Sequence, residues 1–249
     1  MKLPQLRRFA FTPFILCATI LSTSAQTPRE LVEQGIAAGQ VDKLDEAVAK
    51  FTEALAKHPT PAEAAQAFLW RADAYVHKER FEPAWADLAE AISRDPKQRK
   101  AYYLQGYILD ERHDLRSAIE AYSKAIALDA HDVDSLYNRG VDLFMQGSMD
   151  AAIKDFTSAI EDDGKHVSAY TNRGAAFAST GKLEASLADL SKAISLNPMA
   201  INAYVNRAKV HMMRREWEDA VKDCDEALRI APQNQQIIQL RAKAQMKTP

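Results

Sequence analysis

The hexapeptide SLYNRG (Ser135–Gly140) returns as AYTNRG (Ala169–Gly174) and, with its last residue changed, as AYVNRA (Ala203–Ala208), each copy 34 residues after the one before. An active site needs one copy of its motif, whereas copies at a fixed period describe a unit of structure built several times over. Set on that motif, a 34-residue frame gives units beginning at Pro28, Ala65, Arg99, Val133, Val167 and Ile201, spanning 28–61, 65–98, 99–132, 133–166, 167–200 and 201–234. The eighth place is Gly35, Ala72, Gly106, Gly140, Gly174 and Ala208, and the twentieth is Ala47, Ala84, Ala118, Ala152, Ser186 and Ala220. Place 27 is alanine in every unit, from Ala54 to Ala227. Small side chains at fixed points let two helices approach closely.

Bulkier residues recur between these places: Leu31, Phe68, Tyr102, Leu136, Tyr170 and Tyr204 at place four, and Phe51, Leu88, Tyr122, Phe156 and Leu190 at place 24. Pro59, Pro96, Pro198 and Pro232 close four units, where a second helix must stop. Each unit therefore reads helix, turn, helix, turn. Only 8 glycines and 10 prolines in 249 residues, with 47% hydrophobic residues, agree with an all-helical chain that buries a sizeable core.

This spacing resembles the tetratricopeptide repeat family, whose 34-residue unit carries small residues at places eight, 20 and 27. The resemblance covers residues 28–234. It implies an all-α fold, a right-handed α-solenoid of six tetratricopeptide-like helix-turn-helix repeats plus a C-terminal capping helix, with residues 235–249 forming that helix and a tail. The departures are Ala130 and Gly164 for the closing proline, His211 at an aromatic site and Cys224 at place 24. Between the first two units the period stretches by three residues, but Thr60-Pro61-Ala62-Glu63 is a capping box with proline at the first helical position, so the insertion predicts an added helical turn.

Residues 1–25 are of another kind. Lys2, Arg7 and Arg8 precede an uncharged run from Phe9 to Leu21, then Ser22-Thr23-Ser24-Ala25, the layout of a secretory signal cleaved before Gln26 or else kept as an amino-terminal anchor. Leu16 before Cys17 argues against lipidation. The expected location is the bacterial periplasm or the extracellular space. Loss of those three basic residues leaves 29 basic against 34 acidic, which disfavours a nucleic-acid partner. The remaining cysteine, Cys224, has no intramolecular partner and sits at a core place, where an inert thiol is expected.

Place seven is Arg71, Arg139, Arg173 and Arg207, and place 23 is Asp87, Asp155, Asp189 and Asp223 in the same four units. Units one and three lack both, with Gln34 and Lys50, and Gln105 and Ala121. This joint presence predicts ion pairs from first helix to second, in preference to an arginine ladder for an acidic ligand.

Within the family the first helices line the concave side, so their stripe at places two, five, six, nine, 12 and 13 is where a partner is expected. Asn138, Asn172 and Asn206 at place six read either as an amide row gripping a peptide backbone or as bonds to the neighbouring repeat. Trp70, Leu104 and Tyr107 give the amino-terminal half an apolar, aromatic inner stripe, with Trp70 either a binding anchor or packed on the lengthened helix of unit two. Members of the resembled family that clamp a carboxy-terminal carboxylate use lysine and arginine at these inner places; Lys100 fits that pattern, whereas Leu104 stands where the arginine would be.

The six histidines, His58, His77, His113, His131, His166 and His211, show neither close pairing nor metal-ligand spacing, and no glycine-rich phosphate loop or nucleophile elbow appears. No cofactor is expected. The chain is read as an exported, non-catalytic scaffold or adaptor that binds a protein or extended peptide in its concave groove. A structural subunit of an envelope complex using its convex face, or an accessory chain presenting substrate to a separate enzyme, are the alternatives.

Overall fold

The computed structural model describes residues 26–247; the leading segment that reads as a secretory signal lies outside them. Every element among the described residues is an α-helix, and the helices fall into two compact units. The first holds α1 (Pro28–Gln40), α2 (Leu44–Ala56), α3 (Pro61–His77), α4 (Phe81–Arg94) and α5 (Arg99–Glu111). The second holds α6 (Leu115–Leu128), α7 (Val133–Met145), α8 (Met149–Asp162), α9 (Val167–Ser179), α10 (Leu183–Leu196), α11 (Ile201–Met213), α12 (Trp217–Ile230) and α13 (Gln235–Gln245).

Local signals place the helix ends. Thr27 and Thr60 accept from the amides of Glu30 and Glu63, whose carboxylates accept in return from the threonine N–H groups, with Pro28 and Pro61 opening the helices. The insertion lengthens α3 to 17 residues, against 13 in α1. Each turn inside a helix pair is closed at place 15 by a residue with positive φ: Asp42 (62°), Glu79 (55°), His113 (60°), Gly147 (88°), Gly181 (76°) and Arg215 (62°). Glycine adopts that conformation freely and the other four residues adopt it at a cost.

Bulk on one helix fills the gap left by smallness on the other. A Cβ added at Gly35 would lie 2.5 Å from the Phe51 ring, one at Gly140 2.7 Å from the Phe156 ring, and one at Gly174 2.8 Å from Leu190. Where place 24 shrinks to Cys224, place eight grows to Ala208, and both are fully buried. α13 covers the open side of α12, burying Ile237 and Ala244 against Tyr204, Ala208 and Cys224, the role of a capping helix.

The place-seven arginines join helices in two directions. Arg71 grips Asp87, Arg139 grips Asp155, Arg173 grips Asp189 and Arg207 grips Asp223, each by two bonds of 2.7–2.9 Å. The third nitrogen donates to a hydroxyl of the preceding repeat: Thr52 (2.9 Å), Ser123 (2.9 Å), Thr157 (3.1 Å) and Ser191 (2.9 Å). These hydroxyls all stand at place 25. In the cap, Arg241 occupies the equivalent of place seven and meets Asp225, at place 25 of the sixth repeat, at 2.5 Å.

Candidate partner-binding surface

Successive first helices touch one another, α1 on α3 and α3 on α5 in the first unit, α7 on α9 and α9 on α11 in the second. They form the closely spaced side of each unit. A residue at place six points toward this side, and how much of it stays open depends on the size of its neighbours.

In the second unit Asn138, Asn172 and Asn206 stand on α7, α9 and α11, all half-buried. Asn172 donates through Nδ2 to the hydroxyl of Tyr137 at 3.1 Å, a residue of the preceding repeat. Tyr137 is held in turn by stacking on His166 at 4.7 Å between centroids, and burial pushes its phenol above the ordinary tyrosine range. At this position the bond to the neighbouring repeat is the one realised. Asn138 and Asn206 make no side-chain hydrogen bond among the described residues, which leaves their amide donors and acceptors open. Their helices end in Met145 and Met213, 58% and 56% exposed, flexible apolar side chains suited to varied surfaces.

The first unit departs from the expected stripe. Leu104 is 1% exposed and belongs to the core: place six on α5 faces the adjoining first helix, and a branched apolar side chain there is covered. Lys100 is not an open cation. Its ammonium pairs with Asp73 at 2.9 Å and lies 3.9 Å from the centroid of the Trp70 ring, with the lysine and aspartate side chains 14% and 13% exposed. Burial lowers its pKa while Asp73 opposes that shift. A carboxylate clamp is thereby corrected to an internal ion pair.

Trp70 packs on the cluster around Leu31, Val32 and Phe51 and walls a pocket of about 80 Å³ with Gly35, Phe51 and Asp73. It supports the repeat junction and shows one edge to a cavity. Tyr107 is half-buried, its phenol pushed upward first by burial and then by Glu111.

Two features of this surface escaped the sequence reading. The place-25 hydroxyls hold each arginine in its rotamer, keeping its charge off the first-helix face, and their signal was present: Thr52, Ser123, Thr157 and Ser191 precede the arginine-bearing units, whereas Ala89 precedes Gln105. The Tyr137–Asn172 bond joins residues 35 apart, a tyrosine–asparagine spacing that recurs only as Tyr103 and Asn138.

Comparison with known proteins agrees with this geometry. Residues 32–99, 80–132 and 103–166 match a family model described as tetratricopeptide repeat, residues 176–213 one described as TPR repeat, and residues 201–234 a further tetratricopeptide repeat model. Among curated proteins none matches the chain in sequence. Among solved structures, a chain of the APC/C hetero-tetramer Cut9-Hcn1 is 20% identical with a TM-score of 0.69, over 88% of this chain and 43% of that one, so this chain spans less than half its length. YrrB, described as a TPR protein with an unusual peptide-binding site, is 21% identical with a TM-score of 0.68, over 79% of this chain and 97% of that one. PilF of Pseudomonas aeruginosa is 21% identical with a TM-score of 0.65, over 75% and 85%. Likeness at these identities speaks for the fold.

Proposed function

The chain belongs to the tetratricopeptide repeat family, and from that premise we propose that it is a non-catalytic scaffold holding a partner protein, in extended form, along the first-helix face of its second unit. The observation that carries this reading is the pair of uncommitted amides, Asn138 and Asn206, on helices that flank α9. An amide offers one acceptor and two donors, matching the alternating N–H and C=O of an extended backbone whatever its side chains. The exposed methionines beside them add apolar grip without dictating shape. Asn172 plays a lesser part, since Tyr137 occupies its amide. YrrB, with its peptide-binding site, supports the class of ligand.

Export is part of the same proposal and rests on the charge and apolar pattern of residues 1–25. No helix among the described residues is long and apolar enough to cross a membrane. Protein recovered from the cell envelope is expected to begin at Gln26.

The test is a crosslinked pull-down from envelope extract, run in parallel with Asn138→Ala/Asn206→Ala and with Asn172→Ala, each confirmed helical. A specific partner lost with the double variant and largely kept with Asn172→Ala supports the amide grip. Equal capture by all three forms refutes it and moves the interaction to the outer helices.

A further inference from the structure

We propose that His211, Glu216 and Asp219 form a binding site for a borderline first-row divalent cation of the zinc type, clipping the two helices of the sixth repeat together. His211 lies in the last turn of α11, Glu216 caps α12 and Asp219 lies in its first turn. One nitrogen or oxygen from each falls within 4.8 Å of the other two. One imidazole with two carboxylates is a donor set suited to such ions, and three protein ligands leave a coordination position for water.

The turn itself sets this arrangement. The Glu216 amide donates to the His211 carbonyl at 2.8 Å and Arg215 takes its positive φ between them, which folds the carboxylate back onto the ring. His211 Nδ1 and Glu216 Oε2 are 2.7 Å apart, while the other ring nitrogen faces Asp223 Oδ2 at 3.8 Å. Metal-bound histidines commonly turn their second nitrogen to a carboxylate, which fixes the tautomer. Arg207 anchors Asp223 through both carboxylate oxygens, so this outer partner is itself immobile.

Each carboxylate keeps an oxygen for the ion. Arg214 takes Oε1 of Glu216 at 2.8 Å and Lys222 takes Oδ1 of Asp219 at 2.9 Å, so Asp219 keeps Oδ2 open, while Glu216 Oε2 is shared with His211 Nδ1 and both turn to the ion when the proton between them leaves. Arg207, Arg214 and Lys222 also oppose a cation, which limits affinity. His211 and Asp219 open onto a pocket of about 410 Å³, with room for the water that completes the shell.

The experiment titrates the tag-free full chain with Zn²⁺ by calorimetry and with Co²⁺ by visible absorption, alongside His211→Gln, Asp219→Asn and, as a control, His131→Ala. Asp219 is exposed, so its variant keeps the fold even if His211→Gln does not; circular dichroism checks both. Expected is one ion per chain, with affinity falling about tenfold or more in each of the two site variants. It stays unchanged in His131→Ala, although His131 has its own carboxylate partner in Asp162. Absence of saturable binding up to about 1 mM Zn²⁺, or one ion bound equally well by Asp219→Asn, overturns the assignment.

Discussion

Removing the guanidinium of Arg139 tests how far the second unit depends on a single clip. Arg139 gives Asp155 bonds of 2.7 and 2.8 Å and Ser123 a third of 2.9 Å. The Asp155 side chain is 6% exposed and that of Arg139 22%. Arg139→Met keeps most of the apolar stem but strands a buried carboxylate, and loss of one member of a buried pair costs about 3–5 kcal/mol. Asp155→Leu strands a guanidinium that already reaches water, so its cost is nearer that of the lost charged hydrogen bonds, about 2–3 kcal/mol. With both replaced, no buried charge remains, and the double variant is expected within about 1 kcal/mol of the parent. Ser123→Ala removes the link from α6 to α7 together with the hydroxyl's own bond to the Ile119 carbonyl inside α6, so it costs about 1 kcal/mol and broadens the transition by weakening coupling between neighbouring repeats. Urea unfolding followed by circular dichroism, fitted with a nearest-neighbour repeat scheme, reads all four. A double variant as unstable as the two singles summed, or an Arg139→Met within about 0.5 kcal/mol of the parent, would refute the reasoning.

Gly140→Ala gains about 1 kcal/mol of helix propensity but drives a methyl into the Phe156 ring at 2.7 Å, so net destabilisation is expected. The loss should shrink in a Phe156→Leu background, which reproduces the Ala72 and Leu88 combination of the second repeat; equal losses in both backgrounds count against it. Glu79→Gly relieves a positive φ of 55° and is expected to raise stability by up to about 1 kcal/mol; a lower melting temperature would contradict this. Burial pushes the Cys224 thiol up to about 11, so at pH 8 a thiol reagent should label it only as the sixth repeat opens, and prompt labelling of the folded chain would refute that. The Glu63 carboxyl is held below its ordinary value by the Thr60 backbone and side chain. Its support of the start of α3 is therefore complete above the unfolded value near 4.5 and lost as pH falls through the depressed one. A carbon-detected titration should show its midpoint rising only part of the way in Thr60→Ala, which loses the hydroxyl bond and keeps the larger one from the backbone N–H.

Much of the architecture was legible because repetition supplies internal controls. Arginine and aspartate come and go together across units, which identifies them as partners before any coordinates exist. The place-25 hydroxyls obey the same logic one unit out of step. Burial at place six was not legible: periodicity assigns a residue to a face but not the distance to the next helix, so Leu104 and Asn138 look equivalent in sequence and differ in exposure. Asn172 lost its expected freedom to Tyr137, a large residue at a place that holds valine, leucine or threonine in four of the six units. The cluster of His211, Glu216 and Asp219 escaped notice because its members straddle a turn, where neither helical nor strand spacing applies.

The pairing of Arg241 with Asp225 bears on how such an array can lengthen. An interior arginine already has an acid in its own repeat and asks only a neutral hydroxyl of the repeat before it. Among the described residues no helix follows α13 to supply that acid, and the sixth repeat supplies one at place 25 instead. Were the sixth repeat copied into the interior, the next arginine would meet two carboxylates, leaving one negative charge without a partner at a solvent-exposed repeat junction. Asp225 thus sets this junction apart from those before it, and a variant with helices added after the sixth repeat is expected to pack better with serine or threonine at position 225.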